Sequence, residues 1–269
     1  MQEVSNTKDP ESGNRKVMAI GPVGVGKTTQ ERTLPGKKFA YLFDPNARES
    51  LQGSDIDYLE FVPDKEELDL SVKALKSGIA DRTSKRSVIE ATTYRQWEKD
   101  FEERLDNDFF DGYDWLIFDS LTTFSEIIMD RVQFINKRLG KHPEQADYTA
   151  EMNTMRNVFR KATSLKCNLY VTAHTEISKD DVVGRTYAQL VVTGKNRIRI
   201  PMRFSQIYGL EVETGSGSKG VKYTAHTVQD RMHPAVRTTV RGLQPVEDIT
   251  IDWEKEKLAG QGLGGFVMR

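Results

Sequence analysis

The residues best equipped for chemistry are Gly21-Pro22-Val23-Gly24-Val25-Gly26-Lys27-Thr28-Thr29, which match the pattern G-x-x-x-x-G-K-[ST] in full. Glycines at these places let the backbone turn so that successive N–H groups converge on phosphate oxygens. A helix that follows offers its positive N-terminal end to the same anion. Lys27 adds a point charge for the β- and γ-phosphates, and the hydroxyl of Thr28 is placed to ligate magnesium. The chemistry implied is capture of a nucleoside triphosphate with Mg2+.

Such a loop needs a carboxylate near the magnesium, commonly at the end of a neighbouring buried strand. Asp119 closes the apolar run Trp115-Leu116-Ile117-Phe118, a place where an unpartnered acid is costly to bury. An acid in this position can also be a plain turn or capping residue; the upstream loop favours the magnesium role. Tyr170-Val171-Thr172-Ala173-His174 is a second strand ending in polar residues. Strand ends at the carboxyl edge of a parallel sheet line the ligand crevice, so His174 is a candidate to sense the γ-phosphate or position water. Lys27, Asp119 and His174 are the candidate catalytic set, with Thr28 and Asp119 as the metal-side pair.

The elements that must position these residues alternate short apolar runs with longer amphipathic ones, the pattern of an α/β protein with a mostly parallel sheet. Strands are expected at 16–20, 39–43, 58–62, 115–119 and 168–172, with a further one at 87–90. Helices are expected at 28–33, 66–76, 94–105, 124–139 and 148–165. In the third of these helices Trp97, Phe101 and Leu105 recur every four residues on one face. The stretch 82–86 reads as a basic loop and 178–192 as a mobile one. A β-hairpin with a long tip at 215–220 is expected over 207–228.

The chain has 269 residues with 39 basic and 40 acidic side chains, a net charge of -1. Overall charge gives no support for a nucleic-acid partner, which would need a local basic patch. The single cysteine, Cys167, excludes an intrachain disulfide and reads as a buried thiol, in keeping with a cytoplasmic setting. No run approaches the ~20 apolar residues of a membrane span, so no membrane partner is expected. Residues 1–14 are expected to be a flexible N-terminal tail, 15–258 one domain, and 259–269 a glycine-rich flexible C-terminal tail whose Phe266 could instead dock on a partner.

Lys195, Arg197 and Arg199 alternate along 193–203. If that segment is extended they share one side, as a stripe for a phosphate backbone or as a solvated strand face. Single-strand binding usually adds aromatic platforms, for which Tyr187 and Phe204 are the nearby rings.

Taken in order, the phosphate loop, Phe39-Ala40-Tyr41-Leu42-Phe43-Asp44, Leu116-Ile117-Phe118-Asp119-Ser120-Leu121-Thr122 and Val171-Thr172-Ala173-His174 resemble the phage-encoded RecA-like P-loop ATPases of the single-strand annealing and recombinase-core type. The resemblance spans roughly residues 16 to 250. It implies a RecA-like core with a C-terminal β-hairpin region, ATP and Mg2+ as cofactors, and single-stranded DNA as partner. A homo-oligomer, a single-strand-binding protein as further partner and a place in the host cytoplasm follow from the same likeness. It makes 176–194 a DNA-contacting loop, and places a cation acting on a neighbouring subunit's site among Arg231, Arg237 and Arg241.

One departure stands out. Such ATPases usually end the second core strand in Asp-x-Glu, whose glutamate activates water; here the segment is Asp44-Pro45-Asn46. Asn46 can orient water but cannot take its proton, leaving Asp44, Glu49 and Glu90 as substitutes, or slow hydrolysis. Two other functions fit the loop: a nucleotide-gated loader or assembly factor with little hydrolysis, and a small P-loop kinase.

Overall fold

The computed structural model describes residues 14–64, 90–182, 184–214 and 220–267. The helix expected at 66–76, the basic loop at 82–86, nearly all of the strand at 87–90, most of the hairpin tip at 215–220 and nearly all of the N-terminal tail lie outside the described residues.

A nine-stranded sheet forms the spine. Its strands are β1 (Lys16–Gly21), β2 (Lys38–Leu42), β3 (Asp57–Glu60), β4 (Trp115–Asp119), β5 (Asn168–Asp180), β6 (Arg185–Leu190), β7 (Gln206–Thr214), β8 (Val221–His226) and β9 (Val246–Asp248). The order is β3-β2-β4-β5-β1-β7-β8-β9, with β6 paired to β5 alone. Strands from β3 to β7 run parallel, and β8 and β9 close the far edge antiparallel. This is the α/β architecture expected of a RecA-like P-loop core, with antiparallel strands after it.

The helices are α1 (Lys27–Gln30), α2 (Ala47–Leu51), α3 (Thr93–Asp106), α4 (Leu121–Ile135), α5 (Gln145–Ser164) and α6 (Asn196–Arg199). Both sheet faces are covered, which is why the inner strands are apolar at every position instead of alternating. In β1, Met18 and Ile20 face one core, shared with Trp97 and Phe101 of α3, Phe124 of α4 and Phe159 of α5. Val17 and Ala19 face the other, with Tyr170 and Tyr208. The four-residue spacing read in α3 places the Trp97 and Phe101 rings in a stack 5.0 Å apart. Ser120 caps α4 by accepting from the Thr123 N–H, so Asp119 is held between a strand end and a capped helix start. Among the described residues no helix is long and apolar enough to cross a membrane.

Three expectations fail here. The stretch 178–192 is not a loose loop: β5 continues to Asp180 and turns back as β6, pairing Thr175 with Leu190 through Asp180 with Arg185. This arm stands off the core, so it lacks the apolar alternation that marks a half-buried strand. Lys195, Arg197 and Arg199 are not on an extended strand, since α6 covers 196–199 and Lys195 caps it. Buried Asn196 anchors that turn by donating to the Met152 carbonyl. On a helix, Lys195 and Arg199 share a face and Arg197 points elsewhere, its Nε on the Val192 carbonyl. The three are exposed, but they form no straight stripe.

The glycine-rich end is packed, not flexible. Leu263 and Val267 are fully buried, and the Phe266 ring meets Tyr208 at 5.4 Å. Leu263 N–H donates to Gln30 Oε1, and Gly264 N–H to Thr33 Oγ1. A Cβ on Gly264 would sit 1.8 Å from the Thr33 carbonyl oxygen, so glycine here serves close backbone approach, not flexibility. The segment braces the turn of α1 from behind.

Candidate functional site

The carboxyl ends of β1, β2, β4 and β5 meet at one edge of the sheet, where the order changes direction around β1. β1 runs into the loop at Gly21, whose Cβ position lies 2.6 Å from the Leu210 carbonyl of β7. Gly24 and Gly26 take φ values of 84° and 82°, the left-handed region open to glycine at little cost. These two turns bring the chain to α1, and Gln30 N–H closes the first helical bond on the Gly26 carbonyl at 3.0 Å.

Lys27 Nζ lies inside the loop, donating to the Gly21 and Pro22 carbonyls at 2.9 and 2.7 Å. Burial pulls its pKa down to about 8, against the raising pull of the Asp119 and Asp44 carboxylates. Thr28 Oγ1 donates to Asp119 Oδ2 at 2.8 Å, and Thr172 Oγ1 donates to Asp119 Oδ1. Asp119 is 1% exposed. Burial, then the charge of Asp44, pushes its pKa up to about 6; the Thr172 and Thr28 hydrogen bonds and Lys27 oppose this.

His174 links the loop to β2. Its Nδ1 is 3.2 Å from Lys27 Nζ and its Nε2 is 3.1 Å from Asp44 Oδ2. Asp44 also accepts from Ser120 Oγ at 2.6 Å and from Thr123 Oγ1. Burial would raise the Asp44 pKa, but the bonds from His174, Ser120 and Thr123 outweigh it and hold the carboxyl below its usual range. The sequence-derived set of Lys27, Thr28, Asp119 and His174 is therefore brought together, with Asp44 as a fifth member.

Beside this group opens a cavity of about 500 Å³, lined by loop residues, Asp44, Asn46, Glu49 and His174 on one side and by Tyr223, Ile251 and Trp253 on the other. That size lies in the range of small-molecule sites. Asn46 takes a left-handed φ of 65° at the start of α2. Of the three acids offered as water activators, Asp44 and Glu49 line the cavity, whereas Glu90 pairs with Arg131 at 3.2 Å.

The arginines proposed to act in trans are unequal. Arg237 spends its guanidinium on the Phe204 and Pro201 carbonyls of its own chain, which removes it from that role in this conformation. Arg231 and Arg241 are exposed.

Sequence reasoning missed five contributors. Thr172 was legible in principle: Tyr170, Thr172 and His174 fall every second residue on β5 and so share a face. Each touches the site, Tyr170 through its hydroxyl on the Lys27 carbonyl at 3.2 Å. Tyr223 and Trp253 come from the antiparallel edge and the chain after it, and only the fold brings them to the loop. Glu31, just after α1, is fully buried with both carboxylate oxygens unpartnered. Burial, then Asp119 and Asp44, raises its pKa well above the usual value.

These residues fit a magnesium nucleotide. Thr28 and Asp119 form a pair of hard oxygen donors of the kind Mg2+ takes, and Lys27 is a cation close to the buried Asp119 carboxylate.

A family model described as an AAA domain matches residues 13–238. The chain belongs to this family. It is an AAA-type P-loop ATPase in fold, and membership implies use of a nucleotide, typically with Mg2+. No curated protein sequence matches the AAA-domain chain. Solved structures similar to it include the flagellar accessory protein FlaH of Methanocaldococcus jannaschii, at 13% identity and a TM-score of 0.36 over 88% of this chain and 85% of that one. A KaiC-like protein of Pyrococcus horikoshii shows 12% identity and a TM-score of 0.39 over 88% and 86%.

Proposed function

We propose that this AAA-domain protein binds ATP with Mg2+ and hydrolyses it while acting on single-stranded DNA, in recombination, annealing or repair. The observation that carries the reading is the position of His174. It touches Lys27 and Asp44 in the nucleotide site, and its carbonyl accepts from Val191 N–H at 3.0 Å. His174 thus stands at the root of the β5–β6 arm, where both strands leave the sheet. A γ-phosphate that moves Lys27 off the loop carbonyls changes the partner of His174, and the arm and the exposed Lys195, Arg197 and Arg199 beyond it share that root. Nucleotide state and a cationic surface are coupled through one side chain.

Bound Mg2+ would neutralise charge on the phosphates. Lys27 would hold the β- and γ-phosphates, and Asp44, which lines the cavity and bonds to His174, would be the acid that activates water. Tyr223 and Trp253, whose rings line the cavity, would offer flat surfaces to a nucleobase. Arg231 or Arg241 from a second copy would complete the site in a homo-oligomer.

ATP hydrolysis measured with and without single-stranded DNA tests this directly. DNA-stimulated turnover, with DNA binding that weakens as salt rises, is expected. Turnover indifferent to DNA contradicts it.

One observation favours a second reading, a nucleotide-gated loader or assembly factor. Asn46 occupies the usual glutamate place, and the Asp44 carboxylate is already engaged by Ser120, Thr123 and His174. That reading expects tight ATP binding without turnover, in the presence or absence of DNA.

A further inference from the structure

Outside the nucleotide cavity, two of the chain's four histidines lie with their rings 4.2 Å apart and tilted by 35°. His226 ends β8, and His233 sits in the segment that follows. Both rings are held at each end by a carboxylate. Asp230 Oδ2 lies 3.0 Å from His226 Nδ1 and 3.1 Å from His233 Nδ1. Glu211 of β7 lies opposite, with Oε2 3.2 Å from His226 Nε2 and Oε1 3.2 Å from His233 Nε2.

The arrangement is built. Asp230 is fixed by two backbone N–H groups, those of Met232 and His233, each donating to Oδ1 at 2.7 Å. Its segment is tied down by Arg185, which donates to the Asp230 and Arg231 carbonyls. The ring of His233 packs over Gly209 of β7, where a Cβ would come within 2.9 Å of it. His233 is buried, and its ring cannot swing away without losing that packing.

Asp230 and Glu211 offer only lone pairs, and the two imidazoles lie between them, each Nδ1 toward Asp230 and each Nε2 toward Glu211. With a hydrogen on each Nδ1, the neutral rings turn their free lone pairs toward Glu211, and one cation bound by both Nε2 atoms and the carboxylate satisfies all three groups together.

We propose that His226 Nε2, His233 Nε2 and the Glu211 carboxylate bind a divalent first-row transition ion of the zinc class. Asp230 acts behind the two histidines, fixing tautomer and orientation as carboxylates behind metal-bound histidines do. The three ligand atoms lie within 4.8 Å of one another. Ligands around tetrahedral zinc at about 2.0–2.1 Å stand about 3.3 Å apart; His226 Nε2 lies 3.2 Å from Glu211 Oε2 and His233 Nε2 lies 3.2 Å from Oε1, so each ring is at ligand spacing from one carboxylate oxygen. Imidazole with carboxylate selects ions such as Zn2+ over Mg2+ or Ca2+. Bound there, the ion clamps β7, β8 and the segment bearing Arg231 and Arg237 together. This goes beyond the nucleotide reading and does not depend on it.

The test uses the full chain, stripped with chelator and free of nucleotide and Mg2+. Zn2+ uptake is followed by equilibrium dialysis with elemental analysis, and Co2+ is used as a spectroscopic probe. About one ion per chain, a tetrahedral Co2+ absorption band and a Tm that rises with Zn2+ are expected. Glu211→Gln and His226→Gln should each weaken uptake at least tenfold while keeping the wild-type circular dichroism spectrum, which shows they fold. Asp230→Asn should weaken it by about 10–100-fold, and His142→Ala and His174→Ala should not. No uptake by the wild type overturns the proposal. So does uptake unchanged in the folded Glu211→Gln and His226→Gln proteins, or lost only in His174→Ala.

Discussion

The Nδ1 atom of His174 lies 3.2 Å from the Nζ of Lys27. The lysine that should hold the γ-phosphate is folded onto the carbonyls of its own loop, and His174 is the side chain positioned to register its departure. His174→Ala should lower ATP turnover by about 100-fold, at the lower edge of what a positioned proton-transfer group supplies, with ATP affinity changed by less than threefold. It should also abolish stimulation by single-stranded DNA. Steady-state kinetics with and without DNA check this, and an unchanged kcat would remove His174 from the mechanism.

Asp119 separates stability from function. Its buried carboxylate is held against desolvation and the charge of Asp44, with a pKa of about 6. Asp119→Asn keeps the shape and the hydroxyl partners Thr28 and Thr172 while removing that charge. The variant should melt at or above the wild-type temperature and yet lose the Mg2+ dependence of nucleotide binding. Calorimetry with parallel binding titrations reads both. A lower Tm together with intact Mg2+ dependence would make Asp119 a structural acid.

Glu31 gives a prediction with a definite sign. A carboxyl whose folded pKa is raised is protonated in the native state while ionised in the unfolded chain, so native stability falls as pH rises above the unfolded value of 4.5. Glu31→Gln removes that linkage and leaves a neutral group in the same buried space. The variant should gain stability at neutral pH, because no proton then has to be taken up on folding. The gain should be larger at pH 8 than at pH 5. Denaturant titrations at the two pH values measure it, and an equal or negative gain at both would mean Glu31 has a partner or a role.

Asp44 and Asn46 compete for the missing catalytic acid. Asp44→Asn should reduce turnover by roughly 100-fold, within the usual span for a general base. Asn46→Ala should change turnover less than threefold but cost about 1 kcal/mol of stability, because alanine resists a left-handed φ of 65°. Asn46→Gly should restore that stability. Were Asn46→Ala to stop hydrolysis with Asp44→Asn still active, water would be oriented from Asn46.

The part of the site that lies on contiguous motifs was legible in the sequence. Lys27 and Thr28 follow from glycine spacing, and Asp119 and His174 from strand ends, because a parallel sheet must present those ends along one edge. The fold class was legible for a related reason: strands buried on both faces are apolar throughout and stand out. What did not show were features made by long-range pairing. The β5–β6 arm has few apolar positions, so it looked like a loop, and the period-two reading of Lys195, Arg197 and Arg199 failed because Asn196 anchors a helical turn to α5. The C-terminal glycines looked flexible because the sequence does not show that Thr33 leaves no room for a Cβ. Tyr223 and Trp253 reach the cavity from far along the chain.

Equilibrium binding of ATP in the presence of Mg2+, compared between the wild type and Lys27→Ala, reads whether the loop grips a nucleotide. Circular dichroism on the same samples confirms that both are folded. Saturable binding by the wild type is expected, with a loss of roughly 100-fold or more in the variant, since Lys27 is the cation placed for the β- and γ-phosphates. Equal affinity in the two proteins, or no binding by the wild type, would mean that the loop is not a phosphate site.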